Sequence, residues 1–179
     1  MSNVAGVYAQ ALYSLAKEDG KEKAILDQMD VLCQSFAEEP AFLQLLSAPN
    51  LSKAERCDIL DNSFREQVEP YLLNFMKLLT EKGYARHFPD CCKAYRAEYN
   101  ADHGILPVRA VTAVPLTNSQ IQKLTDKLEQ VTGKSVQIIN RTDPSVLGGV
   151  RLDYDGKRVD GTVQSRLDTI SSLLKNTVL

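Results

Sequence analysis

Apolar residues recur every three to four positions through the first hundred residues and then every second position in two later stretches. The chain therefore reads as a helical half followed by a mixed helix and strand half. Ser2 and Asn3 precede a first helix that runs to about Lys17 and stops at Asp19-Gly20. A second, from about Lys21 to Glu38, carries Ile25, Met29, Leu32, Cys33 and Phe36 on one stripe. Pro40 opens a short third helix, and Ser52 with Glu55 forms a capping box for a fourth. Pro70 opens a fifth, YLLNFMKLLTEKG, which stops at Gly83, and Pro89 stands near the start of a sixth reaching about Asn100.

The period changes after His103-Gly104. LPVRAVTAV (106–114) alternates as a strand, Thr117 with Gln120 caps an amphipathic helix ending at Gly133, and SVQIINR (135–141) is a second strand. Asp143-Pro144 marks a turn. Val150, Leu152 and Tyr154 alternate with Arg151 and Asp153 up to the hairpin signal Asp155-Gly156, and residues 157–160 return as the partner strand. A last helix is expected from near Thr162, with Val163, Leu167, Ile170 and Leu174 as its apolar stripe. The pattern predicts an α+β fold: an N-terminal six-helix bundle over 1–104, then a small α/β module with a β-hairpin over 105–179. The junction at 100–107 is expected to be the most protease-sensitive segment, because a helix end, a glycine and a pre-proline residue meet there.

Composition narrows the function classes. At 44% hydrophobic and 25% charged, the chain has the balance of an ordinary folded protein. Its longest apolar run, residues 71–79, is interrupted well short of the ~20 residues that span a bilayer, so membrane association is expected only through partners. The N-terminus does not read as a signal peptide, which leads to a cytoplasmic expectation. Residues 1–105 hold 11 Lys/Arg against 16 Asp/Glu (−5), and residues 106–179 hold 10 against 7 (+3). Neither half has the basic footprint of a nucleic-acid binder, and the asymmetry suggests two units facing different partners. The four cysteines show no CxxC spacing; three are expected as core fillers, with one surface thiol in the Cys91/Cys92 pair.

Thr132-Gly-Lys-Ser135 contains half of a phosphate-binding signature. A Walker loop needs a glycine five residues before the Gly-Lys, where this chain has Leu128, and needs a helix to follow; here a helix ends and a strand begins. Gly133 reads as a helix C-cap, and Gly148-Gly149 as a bulge or tight bend. Neither histidine has a nucleophile in sequence context. No enzyme activity, metal or cofactor is expected.

The opening helix with VYAQALYSLA, the switch near Gly104, and the C-terminal DPSVLGGVRLDYDGKRVDGTVQSRLDTI together resemble the delta subunit of bacterial F-type ATP synthase, related to the mitochondrial oligomycin sensitivity-conferring protein. The resemblance covers the whole chain and is most specific in DPSVLGGVRLDYDG and DGTVQSRL. It implies a non-catalytic stator subunit at the cytoplasmic face of the cell membrane. The six-helix domain would cap the catalytic head by binding the N-terminal helix of the alpha subunit, and the C-terminal domain would grip the b subunits of the peripheral stalk. No nucleic-acid partner is implied; a helical RNA-binding or regulatory adaptor module is the alternative reading.

Two groups of residues follow as candidate contacts. On the first helix the apolar or small residues between Val4 and Ala16 cover about 240° of arc, and on the fifth about 220°, more than packing on one side requires. Both helices are either central and buried all round, or carry a surplus apolar face. Taken with the resemblance, the second option makes Ala5, Gly6, Ala9, Leu12, Tyr13, Leu72, Phe75, Met76 and Leu79 a groove for the head's helix. Arg151, Lys157, Arg158 and Arg166 are the candidate stalk contacts.

Overall fold

The computed structural model describes residues 2–48 and 50–163. The chain divides into two compact units, residues 1–99 and 100–179. Among the described residues there are seven α-helices and one four-stranded sheet, an α+β fold. The helices are α1 (Ser2–Glu18), α2 (Glu22–Glu38), α3 (Pro40–Leu45), α4 (Lys53–Phe64), α5 (Pro70–Glu81), α6 (Phe88–Asp102) and α7 (Asn118–Thr132), with a 3-10 turn at Ala85–His87. The strands are β1 (Ile105–Thr112), β2 (Ser135–Thr142), β3 (Val150–Tyr154) and β4 (Lys157–Asp160). Six of the helices precede β1; the seventh connects β1 to β2. The last helix expected from the sequence, with Leu167, Ile170 and Leu174, falls beyond the described residues.

Local chemistry sets these boundaries. The Ser52 hydroxyl accepts the Glu55 N–H at 3.2 Å while the Glu55 carboxylate accepts the Ser52 N–H at 2.8 Å, closing the box that starts α4. Thr117 and Gln120 do the same for α7. Proline at the first positions of α3 and α5 removes a donor that the helix could not have used there.

The core of the first unit is one cluster drawn from α1, α2, α4, α5 and α6, with Ala9, Ala16, Ile25, Met29 and Tyr95 fully enclosed. The Tyr71 hydroxyl donates to Asp19 Oδ2 at 2.6 Å, fixing the end of α1 to the start of α5. Val4 and Tyr8, at the other end of α1, lie with Leu79 beside a common cavity. The two helices therefore run antiparallel. Phe36 meets Phe88 edge to face at 5.4 Å, and the Tyr95 hydroxyl donates to the Glu22 carbonyl at 3.1 Å, so α2 and α6 are antiparallel as well.

In the second unit the sheet order is β2-β1-β3-β4, with β1 parallel to β2 and antiparallel to β3. Leu106, Val108, Ala110, Val136 and Leu152 point to one face, where Leu124 and Leu128 of α7 cover them. Asp155 (φ 48°) and Gly156 (φ 71°) are both left-handed, the pair of conformations that a two-residue hairpin turn demands. Gly149 (φ 84°) lies so close to the chain leaving β4 that a Cβ there would stand 2.5 Å from the Gly161 carbonyl oxygen. Between α6 and β1 only His103 and Gly104 lie outside regular structure, and Asn100 is buried. The segment 100–107 comprises the end of α6, a two-residue turn and the start of β1, and the second unit begins within it, at Asn100.

Candidate functional site

The first unit's candidate surface lies on α1 and α5. Eight of the nine residues that the sequence pointed to as a groove sit in the core instead: Ala5, Ala9, Leu12, Tyr13, Leu72, Phe75, Met76 and Leu79 are all buried, Ala9 and Leu72 completely. Gly6 is half-buried with open space over its Cα. Most of these side chains fill the interior of their own unit, and of the nine only Ala5 and Leu79 also line a cavity beside α1. What α1 leaves in solvent is a second apolar stripe. Val4, Val7, Tyr8, Ala11 and Leu15 fall within about 100° of arc, on a different side of the helix from Ala5, Ala9, Leu12 and Ala16. Val7 is 60% exposed and Leu15 50%, and Leu78 of α5 is also exposed. Alongside the stripe is a cavity of about 140 Å³ whose wall adds Tyr84 and His87 to Val4, Tyr8 and Leu79.

The wide arc of α1 was legible in the sequence, but which part of it faced inward was not. Tyr84 and His87 carry no signal in the sequence, because they lie at the cap and the end of a 3-10 turn, outside any helical periodicity.

The second unit's candidate surface is the sheet face opposite α7. Across it Arg109 pairs in register with Asp153, and Asp153 with Arg158; in the next row Arg151 lies between Val111 and Asp160. Arg158 Nε donates to Asp153 Oδ1 at 2.7 Å, and Arg151 Nε stands 3.7 Å from Asp153 Oδ2. The Arg158 guanidinium holds the Asp153 carboxyl below the usual carboxylate range, assisted by Arg151 and Arg109. Two of the four basic residues are therefore committed in part to one carboxylate. Lys157 is exposed, with no ion-pair partner among the described residues, and Arg166 lies beyond them. Arg109, Ile139, Asp153, Lys157 and Arg158 border an open concavity of about 550 Å³. In the sequence Arg109 is a lone basic residue at an alternating strand position, indistinguishable from ordinary solvated charge; only the register places it beside the hairpin.

Thr132-Gly-Lys-Ser135 is the end of a helix. Gly133 (φ 66°) is the left-handed C-cap of α7, and Lys134 leads directly into β2. Cys91 and Cys92 are both buried, so the surface thiol expected of that pair is absent; Cys33 and Cys57 are the half-buried ones.

These features define a class: a two-unit α+β protein whose candidate sites are an exposed apolar helix stripe on one unit and a charged sheet face on the other. Comparison with known proteins gives the family and the fold. The family model described as "ATP synthase delta (OSCP) subunit" matches residues 4–174. An ATP synthase subunit delta of Alkaliphilus oremlandii is 31% identical over 167 residues, 93% of each chain, and that of Alkaliphilus metalliredigens is 30% identical over 96% of this chain and 95% of its own. A chain in the cryo-EM structure of the Toxoplasma gondii mitochondrial ATP synthase hexamer has the same fold, with a TM-score of 0.74 at 21% identity over 95% of this chain and 96% of that one. This chain belongs to the ATP synthase delta (OSCP) subunit family.

Proposed function

We infer that this chain is a non-catalytic stator subunit of an F-type ATP synthase, holding the catalytic head to the peripheral stalk so that rotation is coupled to ATP synthesis. The observation that carries the reading is the family match across residues 4–174. The physical task follows from torque: a turning rotor drags the head with it unless a fixed element binds the head at one end and the stalk at the other. Such an element acts by holding two contacts at once and needs no chemistry of its own.

For the head contact, we assign the exposed stripe of Val4, Val7, Ala11 and Leu15, with Leu78 and the cavity beside Tyr84, as the seat of the alpha subunit's N-terminal helix. An amphipathic helix laid there would cover apolar side chains that the unit leaves in water. For the stalk contact, the sheet face with Arg109, Arg151, Lys157 and Arg158 suits an acidic or amphipathic end of the b subunits. Among the described residues no helix is long and apolar enough to cross a membrane, which fits attachment through these partners at the cytoplasmic face.

Affinity capture of the tagged chain from native membranes, washed at low and at high salt, tests the assignment. Recovery of alpha and b subunits is the expected result. Retention of neither, under conditions in which the intact synthase is present in the extract, would overturn it.

A further inference from the structure

The two edges of the sheet differ in kind. On one side it ends in β4, a short strand of four residues of which Lys157, Arg158 and Asp160 are charged. On the other it ends in β2, eight residues in unbroken register against β1 and therefore without a bulge. The β2 sequence, SVQIINRT, has no proline and a single charge, Arg141. Short length, charge, proline and bulges keep a sheet edge from pairing with another chain, and β2 lacks them beyond that one arginine.

Bonds at the two ends of β2 fix its backbone directions. The Ser135 N–H donates to the Gly104 carbonyl at 3.1 Å and the Asp143 N–H to the Thr112 carbonyl at 2.9 Å, so odd-numbered residues face β1 and even-numbered ones face outward. The outward N–H of Val136 donates to Glu129 Oε1 of α7 at 2.9 Å. Those of Ile138, Asn140 and Thr142 have no partner among the described residues. Ile138 lies on the α7 side of the sheet, whereas Ile139, 51% exposed, is on the opposite side, where it borders the concavity with Arg109.

We propose that the outer edge of β2 receives an extended acidic segment of the peripheral stalk as a fifth strand. This rests on the sheet face being the stalk contact and adds backbone pairing to it. Three unmet donors at alternate positions suit strand addition, and a strand seated ~4.8 Å away would cover Ile139. Every second side chain of that strand would fall on the concavity side, next to Arg141 and toward Arg109, the cross-strand neighbour of Ile139, so acidic residues there meet opposite charge. A second copy of this chain suits the edge less, because its β2 brings only another arginine to the pairing.

Amide hydrogen exchange of the full chain, followed residue by residue by NMR with and without a soluble fragment of the b subunit, tests the proposal. In the chain alone Ile138, Asn140 and Thr142 should exchange fast while residues 137, 139 and 141 are protected, and bound fragment should slow the first three by about a hundredfold. Arg141→Glu, at an exposed position, should keep the alternation and bind the fragment several-fold more weakly at low salt. A fragment that shifts the Arg109 and Lys157 resonances but leaves the three amides fast would overturn the added strand while the charged face stands as the stalk contact. A fragment that does not bind would overturn both. Slow exchange of the three amides in the chain alone would show the edge covered, by a second copy if it depends on concentration and by this chain itself if it does not, and either result overturns the proposal. Equal affinity of Arg141→Glu and wild type would rule out the acidic segment and overturn it as well.

Discussion

At the scale of single residues, the same substitution is expected to do opposite things on two sides of α1. Ala9 is fully enclosed, so Ala9→Asp places an unpaired carboxylate in the core at a cost of roughly 3 kcal/mol or more, and the first unit should lose its cooperative thermal transition. Val7 is 60% exposed, so Val7→Asp should leave the melting temperature nearly unchanged. It should nevertheless weaken binding to a peptide of the alpha subunit's N-terminal helix about tenfold, on the order of 1.4 kcal/mol, in a calorimetric titration. Equal affinity of the Val7 variant and wild type would move the head contact off this stripe. On the sheet, Asp153 should titrate below the normal carboxylate value of about 3.9 in an NMR pH series, and Arg158→Gln should bring it back toward that value. Because the folded-state pKa is depressed, the stabilisation from this pair is present above the unfolded value and is lost as pH falls through the folded one.

Elements here are held by a few backbone positions where only one residue type fits. Gly149 is left-handed and leaves no room for a Cβ against the Gly161 carbonyl, so Gly149→Ala should destabilise the second unit by about 2–3 kcal/mol, read as a fall in its denaturant midpoint. Gly6 gives the contrast. It is helical with open space around it, and Gly6→Ala should be neutral or stabilising by up to ~1 kcal/mol. The glycine pair 148–149 was conspicuous in the sequence, but the approach of residue 161 that makes one of them indispensable was not, because it joins positions twelve residues apart across a strand edge. Capping boxes and the Asp155-Gly156 hairpin, by contrast, were fully legible, since all their partners lie within three residues of one another.

For the whole molecule, the two units differ in the physics of their candidate surfaces. An apolar stripe binds by burial, which salt does not weaken, whereas contacts through Arg109, Lys157 and Arg158 are screened over a Debye length of ~8–10 Å near physiological ionic strength. Surface-plasmon measurements with immobilised chain are therefore expected to show stalk-fragment affinity falling steeply between low and high salt while the alpha-peptide affinity holds. A salt-independent stalk contact would mean that Ile139 and the apolar parts of that face, rather than its charges, carry the binding.

Sequence periodicity and punctuation by themselves determined the order of elements, the change from helical to alternating pattern near residue 105, and the exclusion of a nucleotide loop at Gly133, because each depends on neighbours within one or two turns. The family was legible from short turn-rich strings such as DPSVLGGVRLDYDG. Tertiary structure alone decided which half of the α1 arc faces the core, that Cys92 turns toward the Met29 carbonyl while Cys91 turns to the cavity beside α1, and that Arg109 stands beside Asp153. Those facts depend on how far apart segments are brought together, and a helix with apolar residues over 240° is compatible with several such arrangements until its partners choose one.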